Sequence, residues 1–302
     1  LHPETPSINF SEGSITLMNI CLAFIMLSTA LEIKREHFTQ LLSQRKAVIT
    51  GLLGQYVLLP LVTVIVVTLL PISNGVALGL IMVSSCPGGS VSNFFSLHAR
   101  GNVALAVALT GFSSMFAFIM TPANFFFWSS LVPSLHSDVK ELHVDFWSLT
   151  SKMILVLLLP LVTSMFVAEK WPAIAKRVAK PARIISIIIL TMFVVMAFLN
   201  NKSILIDTFH KIFWIVLLTN GCGLACAYFF SKVLKNNEAV NRTVAIETSV
   251  HNSGLGLILI FSFFGGNVEM ALVAAWWGIW HLVSGFGFAS FMRGRPLPAP
   301  TT

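Results

Sequence analysis

Charge is scarce in this chain. Only 10% of its 302 residues are Asp, Glu, Lys or Arg, where a soluble domain carries about 25%. Hydrophobic residues make up 56%, and mean hydropathy is +0.84. That balance excludes a soluble globular class. The net charge of +7 is then loop asymmetry rather than a nucleic-acid patch, and no nucleic-acid partner is expected. Cysteine is thin too. Cys21, Cys86, Cys222 and Cys226 all lie in apolar segments, which excludes a disulfide framework and gives no metal spacing. No stretch alternates apolar and polar residues in period 2, so a membrane β-barrel is excluded and a helical bundle is left. No zinc motif, nucleophile elbow or phosphate loop stands in a usable context, so an enzyme is not expected. Residues 1–14 hold no basic segment or cleavage signal, and no signal peptide is expected.

What is there is apolar sequence in runs of bilayer length, about 20 residues each. Nine candidate spans run approximately 15–33, 47–70, 76–97, 102–130, 147–168, 183–200, 209–232, 243–264 and 268–291. The loops after spans one, three, five, seven and nine collect fifteen of the nineteen basic residues, among them Lys34, Arg100, Lys180, Arg242 and Arg293. The positive-inside rule makes that side cytoplasmic. The expectation is a multi-pass protein of the inner (cytoplasmic) membrane, with its N-terminus outside and its C-terminus inside. Trp128, Trp147 and Trp171 fall near the predicted interfaces, as aromatic belts do.

Two polar interruptions stand inside these runs. Glu247-Thr248-Ser249-Val250-His251-Asn252-Ser253-Gly254 divides span eight. A carboxylate at the bilayer centre costs roughly 2.5–3.5 kcal/mol, so Glu247 marks a functional site. Ser84-Ser85-Cys86-Pro87-Gly88-Gly89-Ser90-Val91-Ser92-Asn93 divides span three. There Pro87 removes a backbone donor and the glycines weaken the helix. Carbonyls freed at such breaks are tolerable if they line a watered cavity or coordinate a cation. Ser90-Val91-Ser92-Asn93 returns as Ser249-Val250-His251-Asn252 at an offset of 159 residues. The same offset lays span two on span seven, which cross in opposite directions, so an inverted repeat is expected. Inverted repeats with interrupted helices point to a secondary transporter.

At these residues the chain resembles the bile acid:sodium symporter family. The likeness rests on Gln55-Tyr56 with Pro60, on Cys86-Pro87-Gly88-Gly89 with Ser92-Asn93, and on Ala99-Arg100-Gly101-Asn102-Val103-Ala104-Leu105 with Thr110. It continues through Glu247, Asn252-Ser253-Gly254 and Trp280-His281, and covers about residues 15–291. The form is similar to the nine-span members. The resemblance implies an all-α polytopic fold with inverted repeats and two broken, crossing helices. It implies one transmembrane transporter domain over residues 1–302, with a core from approximately 47–130 and 209–291 and a panel from approximately 15–33 and 147–200. It implies a sodium-coupled symporter that imports an organic anion, a bile acid or a small carboxylate such as a pantoate-like acid, by alternating access. The implied partners are the anion, sodium and the bilayer, with no obligate protein partner.

Carried onto this sequence, the first sodium site uses Ser92, Asn93, Thr110 and Glu247. The second uses Gln55, Glu247 and the carbonyls of Thr248 and Val250. Ser90, Asn252 and His281 face the substrate. Two positions depart from the family pattern. His251, counted with the metal-site residues, stands where Gln is usual, and Ala106 where a hydroxyl is usual. Both leave open whether two sodium ions bind or fewer, and whether His251 brings a proton into the cycle. A proton-coupled anion transporter, a cation/proton exchanger of the same fold and a non-transporting receptor are the rival readings.

The orientation is checked with single cysteines at Asn74 and Lys180 in intact cells. An impermeant reagent should label position 74 and spare 180; the reverse pattern overturns the topology.

Overall fold

The computed structural model describes residues 44–136, 146–154, 158–200 and 202–297, with isolated helical positions at Gly13, Thr16 and Ile20. The predicted first span, 15–33, lies outside the described residues apart from Thr16 and Ile20. Regular structure among the described residues is helical, apart from isolated bridge residues such as the Gly88–His251 pair.

Helix α1 runs Arg45–Leu69. Its middle, Gly54–Leu58, is wound as a π-helix. Pro60 follows and cannot donate to the turn before it. The Tyr56 carbonyl accepts instead from Trp128 Nε1 at 3.3 Å. Trp128 is therefore buried and is not the interfacial tryptophan its position predicts. Trp147 and Trp171 are exposed. One face of α1 shows Ile49, Leu53, Val57, Leu61 and Ile65 to the outside, four residues apart. An apolar stripe of that length has bilayer as its solvent.

Span three is two pieces, α2 (Asn74–Ser85) and α3 (Val91–His98). Span four is also two, α4 (Val103–Met115) and α5 (Ala117–Ser130), bent by 79°. The Tyr56 hydroxyl donates to the Ser113 carbonyl at 3.3 Å, just ahead of the bend. A side chain inserted into the helical ladder is a known cause of a kink, and no hydropathy plot registers it. Helices α6 (Phe146–Met153), α7 (Leu159–Lys170) and α8 (Pro172–Asn200) follow. Helix α8 begins well before the predicted span at 183, because hydropathy marks the apolar part of a helix and not its basic first turns. Helix α9 is Lys202–Val233. Span eight is α10 (Glu238–Ser249) and α11 (Ser253–Phe263), and α12 is Val268–Arg293. Among the described residues, three helical stretches are long and apolar enough to cross a bilayer unaided, Arg45–Leu69, Phe209–Val233 and Val268–Arg293.

Helix starts are locally encoded. Ser73, Asn102, Asn237, Asn252 and Asn267 each accept from the backbone N–H three residues on, capping α2, α4, α10, α11 and α12, as Ser and Asn do best. Helix α12 packs on α2, α9 and α11; α10 packs on α1, α3, α4 and α9. The largest apolar cluster joins α1, α2, α5, α9, α11 and α12 around Leu80, Met82, Phe125, Ile258 and Trp277. A second ties α1, α4, α9 and α10 through Val48, Leu109 and Val244.

Arg242 is counted with the cytoplasmic charges on sequence, yet it is 1% exposed. Its Nε donates to Glu238 at 3.0 Å, and its Nη1 and Nη2 donate to the carbonyls of Ala99 at 2.9 Å and Arg295 at 3.1 Å. One guanidinium thus ties together α10, the end of α3 and the segment after α12. Arg242→Leu should cost about 3–5 kcal/mol, because Glu238 loses its cation and two carbonyls lose a donor. Arg242→Lys should recover little, since one ammonium cannot reach three directions. Thermal unfolding in detergent is the readout; a variant as stable as wild type refutes this account.

Candidate functional site

The two broken helices meet at their breaks. Cys86 turns extended at the end of α2, with ψ at 157°. Gly88 and His251 then face each other as an antiparallel bridge. The Gly89 amide donates to the Val250 carbonyl at 2.9 Å, and the Asn252 amide donates to the Pro87 carbonyl at 2.8 Å. Two donors and two acceptors released by the breaks thus satisfy one another, as buried backbone requires. A Cβ on Gly89 would lie 3.1 Å from the His251 carbonyl oxygen, and one on Gly88 would lie 2.8 Å from Gln55 Nε2 and 3.0 Å from Glu247 Oε2. Only glycine lets the two linkers and the Glu247 carboxylate come so close.

The predicted repeat register does not fit these breaks. Stepping 159 residues on from Ser85, the end of α2, reaches Val244, in the middle of α10, which runs on to Ser249. The matched tetrapeptide opens α3 in the first half but forms the end of α10 and the linker in the second. It reflects the polar composition of breaks, not equivalent positions.

Glu247 stands in the last turn of α10 with no exposed surface. Ser92 Oγ donates to its Oε1. Thr110 Oγ1 donates to Oε2 at 3.0 Å, and Gln55 Nε2 at 3.2 Å; the same amide reaches the Glu247 carbonyl at 3.2 Å. The two hydroxyls lie 3.3 Å apart. Four helical segments therefore converge on one carboxylate: α3 with Ser92, α4 with Thr110, the π-turn of α1 with Gln55, and α10 itself. Among the described residues no Lys, Arg or His is bonded to it. Three buried oxygens, Gln55 Oε1 on the amide that reaches Glu247, and Asn93 Oδ1 and Thr248 Oγ1 on the residues after Ser92 and Glu247, have no hydrogen-bond partner. Carboxylate, hydroxyl and amide oxygens are what a hard cation takes, and unpaired buried acceptors need either such an ion or water.

The other singled-out residues surround this centre unevenly. Ala106 is buried one turn before Thr110 and adds no oxygen. His251 is fully buried, with Nδ1 3.1 Å from the Val83 carbonyl and Nε2 unpartnered. Since a carbonyl only accepts, Nδ1 carries the proton, and that face of the ring is committed to α2 rather than to Glu247. Ser90 precedes α3 and Asn252 precedes α11, so both stand at half-helix N-termini. The Asn252 Oδ1 is already used by the Leu255 amide at 3.0 Å. His281 lies in α12, 6% exposed, with Nδ1 unpartnered. Sequence reading missed Asn220. Its Nδ2 donates to the Ser249 carbonyl at 2.7 Å and its Oδ1 accepts from Ser284 at 2.7 Å, so it holds the end of α10 in place. An Asn in mid-span was the available signal.

A family model described as the sodium bile acid symporter family matches residues 19–208. It stops within α9, short of Glu247. The chain is 29% identical over 277 residues to a protein of Bacillus subtilis (strain 168) named as the uncharacterized sodium-dependent transporter YocS, covering 91% of this chain and 82% of that one. It is 30% identical over 284 residues to a probable sodium/metabolite cotransporter, chloroplastic BASS2 of Oryza sativa subsp. japonica, covering 94% of this chain and 65% of that one. It is 24% identical over 241 residues to the ileal sodium/bile acid cotransporter of Cricetulus griseus, covering 80% and 67%. The chain thus spans just under two thirds of the chloroplastic relative.

Gly89→Ala tests the crossing. Its Cβ meets backbone that cannot swing aside, so a loss of about 1–3 kcal/mol is expected. Gly287→Ala, with nothing within 4 Å, should be neutral or slightly stabilising. Equal melting temperatures for the two variants would mean the bridge does not hold the breaks together.

Proposed function

Because the chain belongs to the sodium bile acid symporter family, we propose that it is a sodium-coupled symporter that imports an organic anion by alternating access. The family is one of sodium-dependent membrane transporters, not enzymes. The observation that carries the finer reading is Glu247: a fully buried carboxylate met by neutral donors, with no cationic side chain bonded to it among the described residues. A buried charge without a counter-ion is expensive, and a sodium ion taken from outside neutralises it. The first sodium is held by Ser92, Asn93, Thr110 and Glu247. A second is held by Gln55, the other side of Glu247, and the Thr248 and Val250 carbonyls. The Val250 carbonyl keeps one lone pair for it beside its bond to Gly89.

The anion sits at the crossing, near Ser90, Asn252 and His281, where the N-termini of α3 and α11 carry partial positive charge. Small or amphipathic carboxylates fit that electrostatics. The core is α1–α5 with α9–α12, and the panel is α6–α8 with the first span; their relative movement exposes the site to either side. His251 is a positioning residue that joins the second linker to α2 through Val83. Sodium and anion binding are linked, so each tightens the other.

The test is uptake of labelled carboxylates into proteoliposomes. A sodium gradient should drive uptake; drive by a pH gradient alone replaces this reading with proton coupling, and no uptake of any anion leaves a receptor. Glu247→Gln keeps the shape of the side chain and removes its charge. It should reduce sodium-driven uptake to the level of protein-free liposomes. It should also remove the sodium-induced stabilisation, about 2.7 kcal/mol at a hundredfold excess over Kd, without lowering stability in sodium-free buffer. A variant that is still stabilised by sodium displaces Glu247 from the ion site.

A further inference from the structure

A second polar feature lies at the far end of α3, away from Glu247. Phe94, Leu97, His98 and Arg100 from α3 and its end, with Arg293 from the end of α12, line a cavity of about 340 Å³. The Arg293 guanidinium, through Nη1, lies 3.0 Å from His98 Nδ1, and His98 Nε2 lies 3.1 Å from Ser290 Oγ. Arginine only donates, so Nδ1 accepts and the Nε2–H donates to serine. His98 is a prop that fixes the direction of Arg293. Its ring is also stacked on Phe94 and Phe286.

Arg100 is held at a cost. Its φ is +56°, the left-handed region in which glycine is favoured. The Arg100 amide bonds the Leu97 carbonyl at 3.1 Å and the Gly101 amide bonds the Ser96 carbonyl at 2.8 Å. That pair of bonds is the Schellman ending, whose left-handed position is ordinarily glycine. A side chain kept there against backbone preference invites a functional explanation. Among the described residues no carboxylate bonds Arg100 or Arg293; the acid close by, Glu238, is taken by Arg242 and Tyr228.

Two guanidiniums without acids, one propped and one strained, face a cavity whose remaining walls are exposed apolar side chains. Phe94 is 56% and Leu97 63% exposed. A free anion gains nothing from such walls, whereas an acyl chain lies along them while its phosphate meets the arginines. We propose that this cleft seats the phosphate headgroup of an anionic phospholipid from the leaflet at the basic end of the molecule. The site is distinct from the crossing and stands whether or not the transport reading does.

Native mass spectrometry of the full chain, released from mixed phosphatidylglycerol and phosphatidylcholine nanodiscs, measures the preference. Wild type should retain phosphatidylglycerol at least about tenfold over phosphatidylcholine, the scale of two arginines at an anionic surface. Arg100→Gly with Arg293→Gln should fall to within about twofold of no preference. This variant relieves the left-handed strain, so misfolding at that position is not expected, and Arg100→Lys with Arg293→Lys should recover most of the preference. Neutralising an exposed pair on α8, Arg177→Gln with Lys180→Gln, should leave it intact. The proposal fails if wild type shows no preference, if the cleft variant keeps it, or if the α8 variant loses it equally. Displacement of the lipid by an equal concentration of glycerol phosphate would make this a site for soluble phosphate instead.

Discussion

Two backbone hydrogen bonds, Gly89 to Val250 and Asn252 to Pro87, make the centre of this protein possible. A helix broken in mid-membrane leaves donors and acceptors that lipid cannot satisfy, at several kcal/mol each by rough estimate. Here two breaks answer one another. Neither half-span pair is satisfied in this way alone, so the crossing is a joint property of residues 86–90 and 250–252. Its geometry then dictates composition. The linkers need glycine where they touch, and Asn252 serves twice, its amide in the bridge and its side chain as cap of α11.

The crossing also fixes where Glu247 stands. Helix α10 ends two residues after it, and Asn220 and Ser284 hold that end from α9 and α12. The carboxylate is thereby presented to Ser92, Thr110 and Gln55 of α3, α4 and α1. Gln55 reaches it because α1 is π-wound at that residue, and π-turns often occur at functional sites. A fully buried carboxylate surrounded only by neutral donors is costly unless something neutralises it, and the proposed coupling rests on that cost. Such a cost is what a coupled transporter needs, since an ion bound without cost does not report its absence to the rest of the fold.

Much of this was legible in the sequence, for reasons that differ residue by residue. Glu247 and the Pro87-Gly88-Gly89 break were readable because each violates the rule for its surroundings: a charge in an apolar run, and breakers inside a helix. Ser92, Thr110 and Gln55 were readable only through family likeness, since hydroxyls and amides are ordinary in membrane helices. That the two breaks cross was readable through the family likeness, but the backbone bonds that pair them, the π-turn in α1 and the 79° bend after Met115 were not readable at all. Each arises from tertiary contacts, such as the Tyr56 hydroxyl on Ser113, that leave no periodic trace. The repeat register was misread because polar linkers resemble each other in composition whatever their positions. The structural role of Arg242 was not readable, because charge counting places a cation on one side of the membrane and says nothing of what its side chain bonds.

The proportions of α3 tie these features into one argument. It has eight residues and is therefore only about 12 Å long. Ser92 at its start touches Glu247, and Arg100 just past its end lines the basic cleft, while the Ala99 carbonyl between them accepts from the buried Arg242. A segment so short cannot absorb displacement internally; it moves as a rod. Its N-terminal end is held through a carboxylate and the crossing, and its C-terminal end through Arg242, which α10 also carries. The two half-helices that meet at Glu247 are therefore clamped together a second time, by a guanidinium about one and a half turns of α10 away. Between the carboxylate and the guanidinium, α3 and α10 form a closed frame, so a displacement at Glu247 is delivered to the whole frame rather than spent on a local rearrangement. Rigid transmission of that kind is how a small local change biases the position of a large body.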